Sequence, residues 1–251
     1  MSNIIAPDEI RSSVREHYGK LARKSSSCCG PSACDCDFNS MYSNQLANAV
    51  PEDIANFSLG CGDPITIASL QPGETVVDLG SGGGLDCFYA AQRVGATGRV
   101  IGVDMTPEML AKARGNATRL GVTNVEFREG YIEHLPVADG EADVIISNCV
   151  INLSPDKPQV FRDMYRALRS GGRISISDIV TNGELPAIVQ SSMEAWGACV
   201  AGALDMRDYA RGLQQAGFAD VRVEPKGKFD AGLSLIPVHV PFSAIITARK
   251  P

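Results

Sequence analysis

Sulfur is the first chemistry this sequence offers. Its 251 residues include eight cysteines: Cys28, Cys29, Cys34, Cys36, Cys61, Cys87, Cys149 and Cys199. In a reducing compartment that number suggests metal binding or redox chemistry, and the chain is too long for a disulfide-stapled mini-protein. Cys61, Cys149 and Cys199 are far apart in sequence, yet each has a reason to face one place in a parallel α/β domain. Cys149 follows the fourth expected strand, Cys61 lies just before the first, between Gly60 and Gly62, and Cys199 falls in an insertion after the fifth. Three thiolates are a poor acid–base apparatus but a good site for a soft, thiophilic centre. The spacings HxxxH, ExxH and close CxxC that mark zinc enzymes are missing. The cluster at 28–36 fits a zinc or soft-ion site, a redox pair or a plain loop, and Cys87 reads as core.

The second chemistry is that of a bound nucleoside. Val76-Val77-Asp78-Leu79 reads as a strand that breaks into Gly80-Ser81-Gly82-Gly83-Gly84, with a helix following through Arg93. The glycines let backbone approach a ligand, and the helix N-terminus offers unbonded N–H groups. The spacing Asp-x-Gly-x-Gly-x-Gly differs from the Gly-x-Gly-x-x-Gly of dinucleotide binders and lacks the Gly-Lys-Ser/Thr ending of a P-loop. Asp104 ends the next strand, where an acid can accept both ribose hydroxyls. These residues resemble the class I S-adenosylmethionine-dependent methyltransferases. The resemblance implies that Asp78, Gly80 and Gly82 bind S-adenosylmethionine, the glycines along its amino-acid and ribose portion, and that Asp104 grips the ribose.

The elements that must position these residues alternate. Strands are expected at 75–79, 99–104, 124–128, 143–147 and 173–178, with helices at about 84–94, 107–120 and 157–169 between them. Thr106 is the expected N-cap of the second helix, with Pro107 at its first position. This alternation predicts a parallel sheet with helices on both faces, a Rossmann-like fold. Ile10, Val14, Tyr18 and Leu21 give 8–24 an amphipathic helical period. Residues 185–204 read as helical and 206–216 as a further helix. Strands near 220–224 and 240–248 complete the pattern, the last of them antiparallel by family resemblance.

A more specific resemblance rests on three segments: Ser58-Leu59-Gly60-Cys61-Gly62-Asp63-Pro64, Ser147 through Lys157 (Asn148-Cys149-Val150-Ile151-Asn152-Leu153-Ser154-Pro155-Asp156 between them), and Gly197-Ala198-Cys199-Val200-Ala201-Gly202-Ala203-Leu204. They are similar to the arsenite methyltransferases over nearly the whole chain, with Asp63 standing where that family often has asparagine. The resemblance implies that Cys61, Cys149 and Cys199 hold trivalent arsenic and that an N-terminal cysteine (Cys28, Cys29, Cys34 or Cys36) joins in thiol cycling. It also places Met105 beside the ribose and adenine, Ile132 and Glu133 around the adenine, and Asn148 toward the cofactor. The implied division is an N-terminal helix and cysteine-rich loop (1–45), an S-adenosylmethionine domain (46–180) and an arsenic-binding region with closing strands (181–251). His17 and His134 read as packing or surface residues and Asp178 as structural. Tyr18 either packs or stacks near the cofactor.

Charge and hydropathy bound the alternatives. A net charge of −6 gives no electrostatic reason to bind nucleic acid or anionic membrane. With no signal-type or membrane-spanning run, the expectation is a cytoplasmic protein whose partners are arsenic and a small-molecule or protein thiol reductant. Two rivals stand beside that reading: a quinone-type carbon or oxygen methyltransferase with incidental cysteines, and a soft-metal binding protein without catalysis.

Overall fold

The computed structural model describes residues 5–24, 50–55, 57, 62–226 and 240–251. In chain order its helices and strands are α1 (Pro7–Lys24), α2 (Glu52–Ala55), α3 (Pro64–Ala68), β1 (Thr75–Leu79), α4 (Leu85–Val94), β2 (Arg99–Asp104), α5 (Pro107–Leu120), β3 (Val125–Glu129), β4 (Ala142–Asn148), α6 (Lys157–Ala167), β5 (Leu168–Thr181), α7 (Ala187–Gln190), α8 (Met193–Gly197), β6 (Leu204–Asp205), α9 (Met206–Gln215), β7 (Ala219–Pro225) and β8 (Pro241–Arg249). The strands form one sheet ordered β3-β2-β1-β4-β5-β8-β7, with the short β6 also paired to β5. Strands β1 to β6 pair in parallel, whereas β8 runs antiparallel between β5 and β7.

Alternation along each strand builds the two faces. Val76, Val100, Val144 and Ile146 point to a layer containing α3 and α4, with Ile65, Phe88 and Tyr89 among its buried side chains. Val77, Ile101, Val103 and Ile145 point the other way, to Val160, Phe161 and Met164 of α6 and Tyr209 and Leu213 of α9. Each such fully buried aliphatic or aromatic side chain contributes about 1.5–3 kcal/mol. The fold is therefore the Rossmann-like α/β sheet with helices on both faces. A third cluster lies over the carboxyl edge of the sheet, where Ile10 and Val14 of α1 meet Cys149, Leu153, Trp196 and Cys199.

Two local details differ from the sequence reading. The stretch 185–204 is two short helices, because the Ser192 side chain caps α8 by accepting from Ala195 N and so starts a new helix. Cys199 then lies in a turn beyond α8. Thr106 is the N-cap of α5, but its side chain makes no capping bond; the Asp104 carboxylate accepts from Thr106 N instead, at 2.8 Å. Asp63 caps α3, accepting from Thr66 N at 2.9 Å and from the Thr66 hydroxyl at 2.6 Å. Among the described residues no helix is long and apolar enough to cross a membrane.

Candidate active site

A cavity partly open to solvent lies at the carboxyl edge of β1, β2 and β4. Asp78, Gly80, Gly82, Asp104, Met105, Ile132, Glu133, Asn148 and Cys149 all line it. The glycine turn is folded back onto β2, with Gly80 N and Ser81 N donating to the Val103 carbonyl at 2.8 and 3.0 Å. Gly80 adopts φ +70°, and a Cβ there would lie 2.5 Å from Val150, so only glycine fits. A Cβ on Gly82 would meet nothing within 4 Å, which leaves that backbone open to a ligand.

Asp104 does more than line the cavity. Its Oδ2 accepts from Gly82 N at 2.9 Å and its Oδ1 from Thr106 N at 2.8 Å, so one carboxylate ties the glycine turn to the start of α5. Burial pushes its pKa up, while those two N–H groups pull it down. Asp78 is pushed well above the usual carboxylate range, first by burial and then by the neighbouring charge of Asp86, with the Cys87 thiol opposing. Cys87 is core, as its sequence position suggests, but it also donates to Asp78 Oδ2 at 3.2 Å. Carboxylates gathered at an open backbone turn suit a cofactor that carries positive charge and a diol, so the residues fit S-adenosylmethionine.

Cys149 lines the cavity, and Cys199 contacts it. Cys149 N donates to the Ser177 carbonyl at 2.8 Å, and the Cys199 thiol donates to the Cys149 carbonyl at 3.1 Å. Residues 50 apart in sequence thus meet at the cavity rim. Cys149 and Cys199 both have φ +60°, a left-handed backbone that non-glycine residues hold only when their surroundings enforce it. Cys149 is disulfide-bonded. Cys28, Cys29, Cys34, Cys36 and Cys61 fall outside the described residues. Among the described residues no group of three or more His, Cys, Asp or Glu side chains forms a metal-binding cluster.

Asn148 turns its amide on the backbone beside Cys61. Its Oδ1 accepts from Gly62 N at 3.2 Å, and its Nδ2 donates to the Gly62 carbonyl at 2.8 Å and to Asp86 Oδ2 at 3.1 Å. Gly62 packs so closely that a Cβ would lie 2.1 Å from Ser177 Oγ. Glu133, also expected near the adenine, is buried and accepts from Arg11 Nε at 3.2 Å and Ser154 Oγ at 2.7 Å. Helix α1 therefore covers the site, with Arg11, Val14 and Tyr18 lining the cavity. The Tyr18 hydroxyl lies 3.6 Å from Cys199 Sγ, a contact its position in an amphipathic helix does not reveal. His134 is exposed, and His17 lies edge-on to Tyr18.

Two buried charges behind the thiols were not singled out as functional by their sequence positions. Burial lowers Lys157 to about 8, opposed by Asp178 and Glu133, and raises Asp178 to about 7, opposed by the Ile179 N–H and by Lys157. Lys157 Nζ donates to the carbonyls of Ser154 (2.8 Å) and Asn152 (3.3 Å), which fixes the segment after Cys149.

Residues 70–217 match the family model described as a methyltransferase domain. The chain is 45% identical over 266 aligned residues to an arsenite methyltransferase of Halobacterium salinarum, covering 98% of this chain and 68% of that one. To the human arsenite methyltransferase it is 34% identical over 226 residues, covering 86% of this chain and 60% of that protein. The crystal structure of an arsenic(III) S-adenosylmethionine methyltransferase from Chlamydomonas reinhardtii superposes with a TM-score of 0.68 at 36% identity, over 82% of this chain and 72% of that one. Fold, cofactor-type cavity and these relatives agree: the chain belongs to the arsenite methyltransferases, S-adenosylmethionine-dependent enzymes on the class I methyltransferase fold.

Proposed function

We propose that this chain methylates trivalent arsenic held by the thiolates of Cys149, Cys199 and Cys61, using S-adenosylmethionine as methyl donor. The observation that carries the reading is the meeting of Cys199 Sγ with the Cys149 carbonyl at the rim of the cavity lined by Asp78, Gly80, Gly82 and Asp104. S-adenosylmethionine supplies an electrophilic methyl on a sulfonium centre. Asp104 takes the ribose, the turn at Gly80 and Gly82 takes the amino-acid end, and Met105, Ile132 and Glu133 border the adenine. The cysteine thiolates face that edge and hold arsenic with its lone pair toward the donor, so the chain contributes orientation and exclusion of water.

Each thiol that bonds arsenic must lose its proton, which makes capture pH-dependent. Donation of the arsenic lone pair to the methyl group leaves arsenic formally pentavalent. Two thiols restore the trivalent state by giving up two electrons and joining as a disulfide. Cys149 stands disulfide-bonded and must be reduced before it can bind arsenic. A small-molecule or protein thiol reductant is therefore a required partner. The cysteines at 28, 29, 34 and 36 serve as accessory thiols that deliver arsenic or resolve that disulfide. In functional terms residues 1–45 supply the covering helix α1 and those thiols, 46–180 bind the donor, and 181–251 complete the arsenic site and the sheet.

Product speciation tests this. Purified protein with arsenite, S-adenosylmethionine and a thiol should yield methylated arsenicals and one S-adenosylhomocysteine per methyl. Cys149→Ser and Cys199→Ser should each abolish or cripple the yield while leaving S-adenosylmethionine affinity within about twofold, since the two substrates are held by different groups. Full methylation activity in both variants would refute the thiol assignment.

A further inference from the structure

Segment 150–157 marks the family resemblance, yet the mechanism above assigns it no task. Asn152 sits at its centre with a fully buried side chain. Its Nδ2 donates to the Ile179 carbonyl at 2.6 Å and to the Cys199 carbonyl at 3.3 Å. Two carbonyls facing one end of the amide fix which end is nitrogen. The other end, Oδ1, is buried and has no hydrogen-bond partner among the described residues. An amide kept in the core with an unsatisfied oxygen is kept for its two N–H donors. The turn it holds is packed as tightly from the opposite side. A Cβ on Gly202 would lie 2.0 Å from the Asn152 carbonyl oxygen, which itself accepts from Lys157 Nζ at 3.3 Å.

We propose that Asn152 is a positioning residue for the arsenic-binding thiol of Cys199. Its amide bridges the end of β5 to the 199–202 turn and so docks that turn, which backbone bonds from Cys199 N to Trp196 O and from Val200 N to Ala195 O close locally, with the Cys199 sulfur against Cys149. This deepens the reading of Cys199 as an arsenic ligand and rests on it. Without the donor pair, the Cys199 carbonyl loses its bond to the Asn152 amide and the turn, still closed by its own backbone bonds, loses this tie to the end of β5. Arsenic would then have to fix the place of the turn, and that ordering would subtract from its affinity. The donor site contains no contact to Asn152, so S-adenosylmethionine binding is unaffected.

Asn152→Asp, which keeps the shape but replaces the donors by acceptors, and Asn152→Ser, which keeps one short donor, form the test. Both are compared with Cys199→Ser in fully reduced, folded enzyme. In Asn152→Asp the arsenite KM rises about tenfold, with kcat at saturating arsenite largely kept and S-adenosylmethionine Kd unchanged; Asn152→Ser falls between. An arsenite KM unchanged in the Asn152 variants but raised in Cys199→Ser overturns this proposal alone. An arsenite KM unchanged in Cys199→Ser overturns the ligand reading and this proposal with it. Losses of arsenite and S-adenosylmethionine affinity that run in parallel with lost stability assign Asn152 a structural role only, and also overturn it. The native protein provides a measurement that does not depend on the variants folding. Amide hydrogen exchange over residues 196–203 should already be slow without arsenite. Fast exchange that slows only on adding arsenite would show that the ligand orders the turn, against the proposal.

Discussion

The sharpest test of the donor site is Asp104→Asn. The carboxylate is 8% exposed and has two oxygens, each with room for two acceptor contacts. Gly82 N occupies one position on Oδ2 and Thr106 N one on Oδ1, leaving one acceptor direction on each oxygen for the ribose diol. Asparagine keeps a single acceptor oxygen. Whichever way its amide points, an NH2 group then opposes either Gly82 N–H or Thr106 N–H and also faces one ribose hydroxyl. Losing a hydrogen bond to an ionised acceptor costs about 1.5–3 kcal/mol, which weakens S-adenosylmethionine binding by roughly 10- to 150-fold. The opposed backbone N–H costs a further ~1–3 kcal/mol in stability. Titration calorimetry with S-adenosylmethionine and S-adenosylhomocysteine gives the first number and denaturant unfolding the second. A 2′-deoxyribose analogue of S-adenosylhomocysteine separates ribose recognition from loop distortion. It should bind wild type more weakly than the parent compound, and the asparagine variant should discriminate less between the two. A folded variant whose Kd stays within about twofold of wild type, with undiminished discrimination, would refute the placement of the ribose on Asp104.

Asp178, raised to about 7 from an ordinary 3.8, holds its proton in the folded protein where the unfolded chain has lost it. Its stabilising effect is therefore complete below pH 3.8 and is lost as pH rises through about 7, and Lys157 on α6 and Tyr209 on α9 are the titratable groups it faces. Between pH 5 and 7.5 the wild type should lose roughly 1–3 kcal/mol that Asp178→Asn retains, and equal slopes in thermal melts would count against the buried neutral carboxyl. Gly80→Ala places a Cβ 2.5 Å from Val150 at φ +70° and should cost about 1–3 kcal/mol in denaturant unfolding; a change under about 0.5 kcal/mol would show the turn to be adaptable. Replacing Cys28, Cys29, Cys34 and Cys36 together by serine should leave a first turnover intact but slow multiple turnovers at low thiol concentration. Undiminished multiple-turnover rates would remove the accessory thiols from the cycle.

Legibility followed the range of the interactions involved. The step from Val76 to Gly84 and on to Asp104 is local physics, an apolar strand broken by glycines and a second strand ending in an acid, and it reads directly from the sequence. So does the placement of Cys149 at the end of β4. The break at Ser192 was hidden because a capping serine competes with a helix that composition alone favours. Contacts between distant segments were hidden as well. Arg11 reaches Glu133 across 122 residues, and Asn148 brackets Gly62 across 86. No periodicity marks such pairs, since each partner is an ordinary residue until the fold brings them together. Asn148 shows the limit clearly, because its position announces a cavity-lining residue while its amide is engaged with backbone beside Cys61.

The 3.1 Å contact between Cys199 Sγ and the Cys149 carbonyl exists only while the thiol holds its hydrogen. Once the sulfur is ionised it has nothing to donate, and two electron-rich atoms face each other at a distance set for attraction. A sulfur recruited to arsenic as proposed would thus lose its resting contact by the same event that makes it nucleophilic. The carbonyl then acts as a latch whose release requires loss of the thiol proton. Such a latch should leave a solvent deuterium isotope effect on arsenite capture, with none on binding of the methyl donor.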